Sequence, residues 1–278
     1  MTGILDSHLH LWDLSSGGYS WLTPDAGELY RTYTAEQARA ELDAAGVGSA
    51  VLVQADDTAA DTEFLLAQAS AHSWIAGVVG WVPLDNPSST EGALAGYAAN
   101  PALVGVRHLV HDDPRDDFLS LPEVRTSLKS LAAAGLPFDV PNAFPRHLQA
   151  TVELARDLPE LNVVLDHLGK PPRGDAEAME LWKDQLSELA QLPNVTVKVS
   201  GLAVPGQPLT VEALQPVWDL ALDGFGPGRL MYGGDWPVSV LGGTYEETCG
   251  IIAQLADQLS PDERTAVMAG TATAVYLR

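Results

Sequence analysis

Along this chain a short run rich in β-branched residues repeatedly gives way to a longer stretch whose apolar residues recur at helical spacing. Strand cores fall at 4–10, 50–54, 75–82, 103–109, 136–140, 163–167, 195–200 and 230–235. Helical patterns lie between them at 35–45, 62–71, 122–134, 144–157, 176–192, 211–222 and 245–258, while 86–100, rich in Gly, Ser and Ala, gives the faintest one. Strict β/α alternation calls for parallel strands covered by helices, and about eight such units are what closes a barrel. The expected fold is therefore α/β, a (β/α)8 TIM-like barrel. No Gly/Ser linker or low-complexity tract interrupts the alternation, so residues 1–278 are expected to form a single domain.

Boundary residues agree with these elements. Thr34 before Ala35-Glu36-Gln37 and Ser260 before Pro261-Asp262-Glu263 suit helix N-caps, and Gly46 and Gly135 stand where helices should end. Residues 11–33 have no clear periodicity. In a barrel that segment would follow the first strand and overhang the mouth, where sites form.

Composition excludes several function classes. With 37 Asp and Glu against 15 Lys and Arg, the formal net charge of −22 repels phosphate backbones and anionic lipid surfaces, so neither nucleic acid nor membrane is an expected partner. The one cysteine, Cys249, allows no intramolecular disulfide and no Cys-based metal cluster. The start, MTGILDSHLH, has no basic segment followed by an apolar one, so a cytoplasmic location is expected. Dinucleotide, P-loop and serine-hydrolase motifs are missing.

Polar clusters stand at the C-terminal ends of the expected strands, which converge on one mouth in a barrel. In DSHLHLWD, His8 and His10 are two apart and project from one face, close enough to share an ion or a substrate group, or to hydrogen-bond inside the barrel. In VVLDHLGKP, His167 is a candidate third nitrogen ligand, and Asp166 is expected to point to the opposite face and anchor a helix or loop. In RLMYGGDWP, Asp235 suits metal ligation or deprotonation of water. In LVGVRHLVHDD, Arg107 and His108 face opposite ways; Arg107 is preferred for the mouth, His108 is carried as a substrate contact, and His111 and Asp112 could reach over the site. Lys198, in a strand otherwise apolar on both sides, either reaches the mouth or lies toward an edge loop. Trp21 and Trp236 are candidates for stacking on a ligand.

The order DSHLHLWD, GVRH, LPFDV, VLDHLGKP, VKVSGL, YGGDWP resembles the amidohydrolase superfamily, and within it the branch of sugar-acid and dicarboxylate lactonases. That resemblance implies a distorted (β/α)8 barrel hydrolysing a cyclic ester, with His8, His10, His167 and Asp235 at the metal positions and one divalent ion, zinc by preference, or none. It implies catalytic roles for Asp235, His167 and Arg107, substrate contacts from Trp21, Lys198, Trp236 and His108, and a small-molecule lactone as partner. Two-metal members carry a lysine on strand four and a histidine on strand five; here Arg107 and the FDVP stretch stand there, which argues against a binuclear centre. The alternatives are a metal-dependent decarboxylase of the same superfamily and a non-catalytic barrel that binds sugar acids.

Overall fold

The computed structural model describes residues 3–277. Eight parallel strands follow one another in sequence order: β1 (Ile4–Leu9), β2 (Val47–Val53), β3 (Ile75–Gly80), β4 (Leu103–Arg107), β5 (Phe138–Val140), β6 (Val163–Leu165), β7 (Val195–Val199) and β8 (Leu230–Tyr232). The ring closes through a parallel bridge between Leu9 and Trp236, with Asp235 N donating to His8 O at 2.7 Å and His10 N to Trp236 O at 2.7 Å. The expected (β/α)8 barrel is thus present, and its seam joins the two segments that carry His8, His10 and Asp235.

Helices α1 (Ala35–Ala44), α2 (Ala59–Ala71), α3 (Pro87–Tyr97), α4 (Pro122–Ala133), α5 (Leu148–Asp157), α6 (Ala176–Ala190), α7 (Val211–Phe225) and α8 (Tyr245–Ala256) alternate with the strands, followed by α9 (Pro261–Thr265) and α10 (Thr271–Tyr276). Local chemistry sets their ends. Thr34 and Gln37 form a reciprocal capping box on α1, as Ser260 and Glu263 do on α9, and Gly46 and Gly135 take the left-handed conformation just past α1 and α4. The weakly patterned 86–100 stretch does form a helix, because Asn86 accepts from Ser89 N and Pro87 occupies the first turn. Residues 11–33 are tied down by a Trp12–Tyr33 bridge and by Trp12 Nε1 donating to Arg31 O at 2.7 Å.

Apolar residues pack in two clusters. The larger one holds most of the buried side chains of helices and strands, among them Trp12, Leu42, Trp182 and Trp218. The smaller one gathers Leu5, Val51, Val79, Val104, Val164 and Met231 against Ala272 and Tyr276 of α10. Among the described residues no helix is long and apolar enough to cross a membrane.

Candidate active site

Three strands end earlier than their apolar runs predict, and the early endings build the site. β6 stops at Leu165, after which His167, Leu168, Gly169 and Lys170 all take positive φ (57°, 52°, 72° and 68°). β8 stops at Tyr232, and Asp235 takes φ 54°. β1 stops at Leu9, after a register irregularity against β2 between Asp6 and Leu9. Such left-handed residues are strained unless the surroundings hold them, and they turn His167 and Asp235 into the mouth beside His8 and His10.

The geometry there is tight. Nε2 of His8, His10 and His167 lie 3.7, 3.6 and 3.9 Å from the same oxygen, Asp235 Oδ1, and the His8 and His10 Nε2 atoms are 3.1 Å apart. His10 Nδ1 stands 2.7 Å from Val53 O, a group that only accepts, so Nδ1 carries the proton and Nε2 the lone pair. His167 Nδ1 bonds Ser200 Oγ at 2.8 Å. Burial pushes the His167 imidazole down to about 4 and, offset in part by Asp166, holds His8 well below the ordinary histidine range. Burial alone would raise Asp235, but His167, His10 and His8 outweigh it and hold the carboxyl well below the usual carboxylate range.

This donor set suits a metal ion. Atoms of His8, His167 and Asp235 lie within 4.8 Å of one another, with His10 Nε2 alongside. Ligands 2.0–2.1 Å from a tetrahedral ion are about 3.3 Å apart, inside the spread of distances seen here.

Beneath these ligands lies a buried ionic network. Lys198 Nζ is 2.6 Å from Asp139 Oδ2, 3.0 Å from Asp166 Oδ1 and 3.2 Å from His8 Nδ1. Arg107 Nη1 is 3.2 Å from Asp166 Oδ2 and 3.3 Å from His8 Nε2, and a second guanidinium nitrogen donates to Gln54 O. The Tyr276 hydroxyl donates to Asp139 Oδ2 at 2.7 Å. Lys198, Asp139 and Asp166 are all fully buried. His8 is therefore gripped on both ring nitrogens.

Asp166 corrects the strand-parity expectation. Alternation placed it opposite His167, but the strand has ended by then, and Asp166 turns inward to hold His8, Arg107 and Lys198 beneath the mouth. Lys198 does not reach the cavity wall; Asp139 and Asp166 hold it below. Trp236 is buried edge-on against Tyr33, ring centroids 5.1 Å apart, and is not a stacking surface. His108 lies off the cavity, stacked on Phe118 at 4.0 Å between Asp57 and Asp113, at 3.1 and 3.3 Å.

Above the ligands opens a cavity of about 220 Å³ whose walls include Trp21, Arg107, His111, Asn142, Lys170 and Asp235. Trp21 is fixed by Nε1 donating to Ala55 O at 2.7 Å, and Lys170 by Nζ donating to Gly201 O at 3.0 Å. Three residues of this wall carry buried polar atoms without hydrogen-bond partners: Arg107 Nε, His111 Nδ1 and Asn142 Oδ1. Asp139, Asn142 and Lys170 were not singled out from the sequence. The available signals were a lone Asp in LPFDVP facing a lone Lys in VTVKVS, and a Lys directly after a glycine turn.

A family model described as Amidohydrolase matches residues 5–278. The chain is 35% identical, over 99% of its length and 96% of the relative's, to an L-fucono-1,5-lactonase from Burkholderia ambifaria. It is 33% identical to an L-fucono-1,5-lactonase from Burkholderia multivorans, over 98% of this chain and 95% of that one. A solved amidohydrolase from Burkholderia multivorans with bound zinc superposes with a TM-score of 0.88 at 33% identity, covering 99% of both chains.

Proposed function

This chain belongs to the amidohydrolase family, and from that premise we propose how it opens a cyclic ester. It is an enzyme, a lactone hydrolase, and its proposed substrate is a sugar-acid lactone of the 1,5 type. The observation that carries the mechanism is the convergence of three imidazole nitrogens on one carboxylate oxygen at the floor of the cavity.

Asp235 accepts a proton from the water that attacks the lactone carbonyl carbon. Negative charge then develops on the carbonyl oxygen, and Arg107, in the cavity wall, stabilises it. The bond from carbon to ring oxygen breaks, and Asp235 returns its proton to the leaving alkoxide, so one carboxylate serves both halves and the product is a hydroxy acid. A divalent ion, zinc by the nature of the donors, would be held by His8, His10, His167 and Asp235 and would supply Lewis acidity toward water and carbonyl. Trp21, Asn142, His111 and Lys170 surround the place where the ring and its hydroxyls must lie.

The test is elemental analysis of protein purified without chelator, together with turnover of a sugar-lactone panel before and after metal removal. One equivalent of zinc, with activity lost on removal and restored by zinc, is expected. Failure to open any lactone in the panel would overturn the reading.

A further inference from the structure

Beside Asp235 the mouth continues into a second chamber that the mechanism above does not use. It encloses about 440 Å³ against 220 Å³ for the first, and Lys170, Asp235 and Val238 form the wall common to both. Its other walls come from the loop after β7, with Leu202, Val204 and Leu209, and from the segment after β8, with Ser239 and Leu241. The first chamber falls below the range of about 300–1,000 Å³ usual for ligand sites, while the two joined fall inside it.

Two further observations point to an occupant. Ser239 is only 6% exposed, lines this chamber, and its Oγ has no hydrogen-bond partner. A buried hydroxyl left unpaired is costly and marks a place where an acceptor belongs. Ser239 N donates to Asp235 O at 2.8 Å, which fixes the hydroxyl one turn from the carboxylate. At the lip, Leu241 is 62% exposed, a large apolar side chain left facing water.

We propose that the second chamber is a substrate subsite for an apolar substituent of several carbons carried on the lactone ring, with Ser239 Oγ donating to an oxygen near the point of attachment. This rests on the lactone-hydrolase reading. The shared wall of Lys170, Asp235 and Val238 sets the chamber next to the scissile ester, and away from Lys170, Asp235, Gln207 and Thr248 its mainly apolar lining favours hydrocarbon over further hydroxyls.

The probes are δ-valerolactone and its alkyl-substituted homologues δ-hexalactone, δ-octalactone and δ-decalactone. A buried methylene is worth about fourfold, so kcat/KM is expected to climb at least about tenfold along the series. Ala203→Trp and Leu209→Trp, which fill the chamber away from the catalytic groups, should leave δ-valerolactone turnover unchanged and flatten the climb. A flat wild-type series, with δ-valerolactone still opened, overturns the subsite and leaves the lactonase reading standing. A climb that survives in both filled variants also overturns it. No turnover of any lactone, sugar lactones included, removes both. The wild-type series decides by itself if a bulky variant does not fold.

Discussion

Asp235 and Lys198 show how differently two buried charges serve one site. Asp235 faces three imidazoles across 3.6–3.9 Å and opens onto the cavity, so replacing it removes chemistry more than cohesion. Asp235→Asn should lower kcat by at least about 1,000-fold with little change in melting temperature, measured by steady-state lactone hydrolysis and calorimetry. Lys198 instead sits fully buried between Asp139 and Asp166, and its loss leaves two carboxylates facing each other away from water. Lys198→Met should destabilise the fold by about 3–5 kcal/mol in urea unfolding, and adding Asp139→Asn should recover part of that. A variant as stable as the parent would show that the network is not held by this pairing. Burial raises Asp139 to about 6, so it is the member of the pair that gives up its charge most readily.

At the level of elements, the sequence made strands legible as short runs rich in β-branched and other apolar residues, and hid the places where they stop. VVLDH and LMYGGD read as strands through to His167 and Asp235, yet the backbone has left the sheet by Asp166 and Gly233. Period-two alternation holds only inside a strand, so it turned Asp166 away from the network that it joins, while His8 and His10, still within reach of β1, lie with their Nε2 atoms 3.1 Å apart. The residues that the fold gathers at the mouth, His8, His10, His167 and Asp235, were readable because imidazoles and carboxylates at strand ends are few. The cavity walls were not, because Asn142 and Lys170 owe their positions to left-handed turns that no periodicity reports. One glycine makes the same point by subtraction. Gly201, at φ 56°, follows β7, and a methyl group there would lie 2.5 Å from His167 Nδ1 and 2.7 Å from Asp235 Oδ2. Gly201→Ala should therefore cut kcat/KM by about 100-fold or more and lower zinc occupancy, read by kinetics and elemental analysis, although the residue touches no substrate.

For the molecule as a whole, the net charge of −22 surrounds a mouth whose cationic side chains, Arg107 and Lys170, are already engaged by Asp166 and Gly201. Anionic substrates must climb that field, and neutral ones need not. Raising ionic strength from about 10 to 300 mM should increase kcat/KM for a dicarboxylate lactone several-fold and leave a neutral sugar lactone unchanged. Equal salt responses for the two would place the field outside the substrate's path. The left-handed run at His167–Lys170 bears on how this scaffold can diversify. Only a few residue types tolerate that backbone, and both the His167 imidazole and the Lys170 side chain of the cavity wall hang from it, so random substitution there is expected to be damaging. Variation is tolerated a few ångströms away, at 202–209 after β7 and 239–242 after β8, beyond Ser200, Gly201 and Asp235. A library built for new substrates should freeze 166–170 and spend its diversity on 202–209 and 239–242, where altered appetite comes without loss of chemistry.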